Sequence, residues 1–232
     1  MADDDGVAAA AAALVRAGDS DGDLCAPFLD VLRVTGAAVS TLGDPFGSET
    51  VSASDDAAAR LDEIQIDLGE GPCWEALRRR RPVLEPDLRH SPATAWPVAL
   101  PALQETGLGA VFAFPLVVAG IDVGAVDLYS EVPTNLTDRD VRDATMLSMV
   151  LARQVLSRAI VAADEGSEDA GGGGGWSRRE VHQATGMILA QLRVSPADAL
   201  LVLRGHAFAS GRTVLEVAAS VVDRSLDFSA TD

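Results

Sequence analysis

The stretch AVFAFPLVVAGIDVGAVDLYS, residues 110–130, decides the fold class. It holds two apolar runs, Ala110–Val118 and Val123–Ser130. Each is short and rich in valine and aromatic side chains, as strands are. Ala119-Gly120-Ile121-Asp122 between them has the composition of a hairpin turn, which makes the two strands antiparallel neighbours. Upstream, Thr35–Leu42 and Thr50–Ala53 are further short strands around a Gly43–Gly47 turn, and Pro82–Glu85 is an extended run. Helical patterns lie between them at Ala26–Arg33, Ala57–Ile66, Cys73–Arg80 and Trp96–Thr106. Gly69-Glu70-Gly71-Pro72 separates the second from the third, and Gly107 ends the fourth. Downstream, Thr137 caps a long helix reaching about Ala162. Its apolar positions Val141, Ala144, Leu147, Leu151 and Val155 recur every three or four residues. The expectation is an α+β domain: an antiparallel sheet with flanking helices and a long terminal helix.

The run ADEGSEDAGGGGG, residues 163–175, ends that domain. Five successive glycines favour neither helix nor strand, and a flexible chain of this length spans roughly 20 Å. Behind it the pattern is purely helical and well punctuated. Ser177 to Glu180 has the spacing of a capping box, Ser195-Pro196 places a cap before a first-turn proline, and Thr213 to Glu216 is a second box. Gly211 sits where a helix C-cap wants it. Three helices are expected, at about 177–192, 196–209 and 214–224. The organisation is then a helical or mobile tail (1–19), an α+β domain (20–162), a linker (163–175) and a small three-helix all-α domain (176–228).

Composition narrows the function. The net charge is −17, with no lysine among the 18 basic residues. That argues against indiscriminate attraction to nucleic acid or anionic lipid. The charge is uneven: residues 1–175 hold 12 Arg against 29 acids, whereas 176–232 hold six of each. Cys25 and Cys73 lie far apart, and with three histidines they build no recognisable metal or haem motif, so any cofactor is unknown. The start, MADDDG, lacks the basic end and leucine-rich centre of a secretory signal. No apolar run reaches transmembrane length, so a cytoplasmic protein without a membrane partner is expected. There is no nucleophile–base pairing, phosphate loop or defensible carboxylate pair, which points away from an enzyme.

Within the small domain, HQATGMILAQL (182–192) carries Gly186 in mid-helix, at a cost of about 1 kcal/mol relative to alanine. On a helical wheel Val181, Ala184, Thr185, Ile188 and Leu192 form the buried stripe. Arg179, His182, Gly186, Ala190 and Arg193 cluster opposite, within roughly 80°. Arg178 adds charge next to this face. A gap without a side chain, rimmed by guanidinium groups, suits close approach of an anionic, bulky partner, and unpaired RNA bases are the usual target. The competing readings are a second helix packing closely on the glycine, or a glycine simply tolerated, with Arg178, Arg179 and Arg193 as an ordinary solvated face.

The segment RREVHQATGMILAQL followed by RVSPADALLVLRGHAFASGRTVLEVAASVV resembles the ANTAR domain, a three-helix RNA-binding output module. Ala184, Thr185, Gly186 and Met187 match its first-helix pattern, Leu203, Arg204 and Ala207 its second, and Leu215 to Ala218 its third. Leu200 stands near the place where the family often has an aromatic residue. The stretch EIQIDLGEGPCWEALRRRRPVLEPDL, with WPVALPALQETGLGAVFAFPLVVAGIDVGAVDLYS after it, resembles a GAF domain. The order of the two resembles regulators of actinobacterial type. The resemblance implies transcription antitermination by a homodimer that binds two hairpins of a nascent RNA. Ala184, Thr185 and Gly186 would contact loop bases and backbone, Arg204 would support that surface or pair with phosphate, and Arg179 and Arg193 would add electrostatic attraction. It further implies a small-molecule pocket between the sheet and the loops around 69–97, with Cys73, Trp74, Trp96, Phe112 and Phe114 as candidate lining or, alternatively, as plain core. Two other functions compete: a DNA-binding regulator, and a sensor whose helical domain only dimerises. Against the first, Ser195-Pro196 occupies the turn between the first two helices, and the basic stripe lies on the first.

Overall fold

The computed structural model describes residues 4–18, 22–43, 45–164 and 175–229. Five strands pair antiparallel: β1 (Gly36–Thr41), β2 (Glu49–Ala53), β3 (Val83–Glu85), β4 (Ala110–Val118) and β5 (Ile121–Ser130). Their spatial order is β2-β1-β5-β4-β3. The β4–β5 hairpin is tighter than the sequence predicts. Val117 pairs with Asp122 and Val118 with Ile121, so only Ala119 and Gly120 form the loop. Both have positive φ (50° and 84°), the backbone of a two-residue turn whose twist matches the strands.

Strand alternation sends the two sheet faces to different layers. Ala37, Val39, Phe112, Phe114, Leu116, Val126 and Leu128 pack on helices α1 (Asp4–Gly18), α2 (Ala26–Val31) and α6 (Asp138–Asp164). Ala38, Val111 and Tyr129 face helices α3 (Asp56–Leu68) and α5 (Ala99–Glu105), and Ala125 packs with Cys73 of α4 (Pro72–Arg79). Each large apolar side chain fully buried in these layers contributes roughly 1.5–3 kcal/mol.

The N-terminal helix α1 buries Val7, Ala10, Leu14 and Ala17 in the same core as α6. Arg158 of α6 donates from Nη2 to the carbonyl oxygens of Ala17 (2.6 Å) and Gly22 (3.2 Å), a cation placed at the helix C-terminus, where the backbone dipole favours it. Thr137 and Asp140 cap α6 reciprocally. Ala144, Leu147, Leu151 and Val155 are buried as the periodicity requires, and Val141 is half-buried. Against the expectation that no segment reaches transmembrane length, residues 138–161 are long and apolar enough by length and composition. Arginines and aspartates interrupt the run in sequence, and its buried stripe packs on the sheet.

Helix α5 starts at Ala99, three residues later than expected. Trp96 precedes a proline and is thereby steered away from helical backbone. The Glu70 carboxylate accepts from the amides of Val98 (2.7 Å) and Ala99 (2.9 Å), fixing the start from a distant loop.

The second unit holds helices α7 (Gly175–Leu192), α8 (Pro196–Ser210) and α9 (Val214–Val222). Its core is Ala184, Ile188, Ala199, Leu203, Ala207, Val214, Val217, Ala218 and Val221. Ser195 caps α8, Gly211 ends it in left-handed backbone, and Thr213 with Glu216 forms a full capping box. Helix α7 begins two residues before Ser177, which therefore lies inside its first turn.

Candidate functional site

The exposed face of α7 is built by elimination. Ala184 and Ile188 go fully into the three-helix core, and Val181, Met187 and Leu192 pack partly against it. His182, Gly186 and Ala190 remain on the surface. A Cβ added at Gly186 would meet nothing within 4 Å, so no packing inside this unit requires the glycine. Thr185 is half-buried, and its hydroxyl donates to the Val181 carbonyl at 2.7 Å, which ties it to its own helix.

One predicted contact residue and the predicted position of another need correction. Ala184 is fully buried and offers no surface to a partner; a small side chain is needed there to let the helices approach. Arg193 is exposed but does not follow the wheel. The helix stops at Leu192 and Arg193 turns left-handed (φ 56°), so its side chain departs from the cap. Arg204 is half-buried on α8. Arg178 and Arg179 lie in the first turns of α7, and their side chains fall outside the described residues.

Sequence reasoning missed an exposed apolar face on α8. Leu201 and Phe208 on α8 are 68% and 64% exposed, and Gly205 between them also stands in open space. The signal was present: in ALLVLRGHAF the apolar residues exceed what one buried stripe can use. Leu200 is half-buried against the core.

In the first unit the GEGPCWE motif works as a corner. Gly71 (φ 136°) could not carry a Cβ, which would lie 2.6 Å from Gln65 Oε1. Gln65 Oε1 accepts from the Cys73 amide (2.9 Å), the Gln65 carbonyl accepts from the Trp74 indole (2.7 Å), and Glu75 accepts from the Trp96 indole (2.8 Å). The five proposed pocket residues therefore do not converge. Cys73, Trp74 and Trp96 belong to the α3–α5 layer, whereas Phe112 and Phe114 lie in the core shared with α1 and α6. A cleft of about 480 Å³ opens beside Trp96, lined also by Glu75, Arg79, Arg81, Leu84 and Glu85. All four arginines of the 78–81 run are exposed; Arg79 pairs with Glu75 and Arg80 with Asp122.

A polar cluster that the sequence did not single out lies under this corner. Asp62 and Asp127 are buried to 1% exposure or less. Thr50 donates to Asp62 Oδ2 (2.5 Å) and Gln65 Nε2 donates to Asp127 Oδ2 (2.7 Å). Burial pushes the Asp62 carboxyl up to about 6, although the Thr50 and Ser40 hydroxyls hold it down. Burial, then the charge of Asp62, pushes Asp127 well above the usual carboxylate range. Both thiols are buried and unbridged. Burial raises Cys25 to about 12 and Cys73 well above its ordinary value, so neither is a ready thiolate. Among the described residues no group of three or more His, Cys, Asp or Glu side chains is arranged to hold a metal ion.

Comparison with known proteins places both units. Residues 18–153 match the GAF domain and residues 177–222 match the ANTAR domain. A protein assigned as a GAF sensor from Burkholderia vietnamiensis superposes with a TM-score of 0.50 at 20% identity, over 68% of this chain and 98% of that one. The GAF domain of a phosphoenolpyruvate-protein phosphotransferase from Coxiella burnetii gives 0.50 at 14% identity, over 69% and 96%. At these identities the likeness is one of fold. No curated protein sequence matches significantly.

Proposed function

Since the chain belongs to the GAF-domain family and carries an ANTAR domain behind its sensor, we propose that it is a signal-responsive antitermination regulator. It binds paired hairpin loops of a nascent transcript and has no catalytic role of its own. The observation that carries this is Gly186: exposed, in mid-helix, with open space where a side chain would stand. An unpaired base can approach backbone there, with His182 one turn away and Thr185 and Met187 bordering the gap. Arg178, Arg179, Arg193 and Arg204 supply phosphate contacts that position the RNA. The second domain has no net charge, so affinity depends more on this local fit than on bulk attraction.

The protein acts as a cytoplasmic homodimer. Along α6, Arg142, Met146, Met149, Arg153, Leu156 and Ile160 recur at alternating four- and three-residue spacing, the repeat of a coiled-coil seam; all are exposed except Leu156, which is half-buried against the sheet core. Met146, Met149 and Ile160 are 48%, 63% and 51% exposed. A second copy covering this stripe gives two RNA sites per particle, so two weak contacts reinforce each other. Met149→Asp should yield monomers in sedimentation and weaken binding to paired hairpins more than to one. Dimers of unchanged strength would remove α6 from the interface.

Filter binding tests the RNA reading directly. The chain should retain RNA with two short hairpins in preference to duplex DNA, with affinity falling as salt rises. Gly186→Gln should abolish retention while far-ultraviolet circular dichroism stays unchanged. Equal competition by duplex DNA would favour a DNA-binding regulator. The exposed Leu201–Phe208 face supports one further reading, a helical domain made for protein contact. Absence of binding to either nucleic acid would favour it.

A further inference from the structure

Asp62 on α3 and Asp127 on β5 lie in the interface between helix and sheet, close enough for the charge of one to act on the other. Asp62 Oδ1 and Asp127 Oδ1 are buried without a well-aligned hydrogen bond among the described residues, the Ser40 hydroxyl standing near Asp62 outside good geometry. The surrounding groups are Ser40 of β1, Thr50 of β2, Gln65 of α3 and the Cys73 thiol of α4. Ala38 and Ala113 flank Asp127 on the neighbouring strands, and the Cys25 thiol ahead of α2 also feels Asp62. Leaving two ionised carboxylates in such a buried place is costly.

We propose that Asp62 and Asp127 form a proton-operated switch in the sensor domain. A retained proton keeps α3 seated on the sheet and α4 on α3, and its loss loosens that corner. In the step itself the carboxylic O–H bond breaks, the electron pair stays on oxygen, and the proton passes to water. The two anions then repel across a low-dielectric gap. Gln65 transmits the change, because its side chain donates to Asp127 and accepts from the Cys73 amide, while its carbonyl holds the Trp74 indole. Helix α4 passes it on through Glu75 to Trp96. The inference names an input for the sensor and does not depend on RNA binding by the second domain.

The direction follows from linkage. Both carboxyls are raised above their unfolded value, so the stability they contribute is complete below the ordinary carboxylate range. It falls as pH rises from the ordinary carboxylate value to about 6 for Asp62, and over a range that reaches higher for Asp127. Amide hydrogen exchange on the full chain measures this at the corner. After correction for intrinsic exchange, protection of the Cys73 and Glu75 amides should fall at least about tenfold between about pH 4 and 6, within the limit of tenfold per pH unit per proton. The fall should be smaller in Asp62→Asn, where only Asp127 still titrates. Constant protection in the unmodified chain, or an equal fall in Asp62→Asn and Asp127→Asn, overturns the proposal. So does recovery of protection at pH 8 on adding ammonium ion, which would make the pair a cation site. If the variants do not fold, carbon-13 carboxyl shifts of the unmodified chain decide. A proton retained on the pair at pH 6 supports the switch, and full ionisation there overturns it.

Discussion

A Cβ added at Gly124 in the sensor sheet would lie 1.8 Å from the Ser40 carbonyl oxygen, whereas one added at Gly186 in the output domain would meet nothing within 4 Å. Both glycines sit inside regular elements, where the residue weakens local structure. In the sheet the reason is internal, since β5 passes so close to β1 that only hydrogen fits. In the helix no neighbour within the described unit requires it, and the proposed reason is a partner that approaches from outside. The same contrast divides the two units. The sensor buries its chemistry, with acids, thiols and the GEGPCWE corner turned inward, and the output domain leaves its distinctive residues on the surface.

The largest effect follows from the sheet. Gly124→Ala forces a methyl into backbone that cannot rotate aside, and the strands must separate. The sensor domain should lose about 3 kcal/mol, the upper part of the usual overpacking range. A urea titration read by near-ultraviolet circular dichroism measures it. A loss below about 1 kcal/mol would mean that the strands part easily and that the contrast with Gly186 is one of degree.

What the sequence made legible on each side of this contrast follows the range of the forces involved. The β4–β5 hairpin, the buried stripe of α6, the caps at Ser195 and Thr213 and the C-cap at Gly211 are written in neighbouring residues, and each is visible in the chain. The outward position of Gly186 was legible too, because α7 is regular around it. Arg193 was misplaced because the wheel continued past a helix that stops before Ser195-Pro196. Which face Phe112 and Phe114 share was hidden, since alternation tells which residues travel together and tertiary packing tells where. The start of α5 was hidden because its capping carboxylate, Glu70, lies 28 residues upstream. The acid pair left a signal that went unread. Asp127 interrupts the apolar strand AVDLYS, and Asp62 and Gln65 stand three apart on one face of α3.

The smallest expected effect is also the sharpest test of the contrast. Gly186→Ala removes the backbone freedom of a mid-helix glycine and meets no obstacle in this unit, so α7 should gain up to about 1 kcal/mol. If the gap receives a nucleotide, the same methyl should cost affinity for paired hairpins, by about tenfold where it displaces one close contact worth roughly 1.4 kcal/mol. The two quantities then move in opposite directions, which neither competing role of the glycine produces. A glycine needed for packing within the protein or its dimer would lose stability on substitution, and one merely tolerated would gain stability at unchanged affinity. Thermal unfolding of the helical domain and filter binding, carried out on one preparation, separate the three.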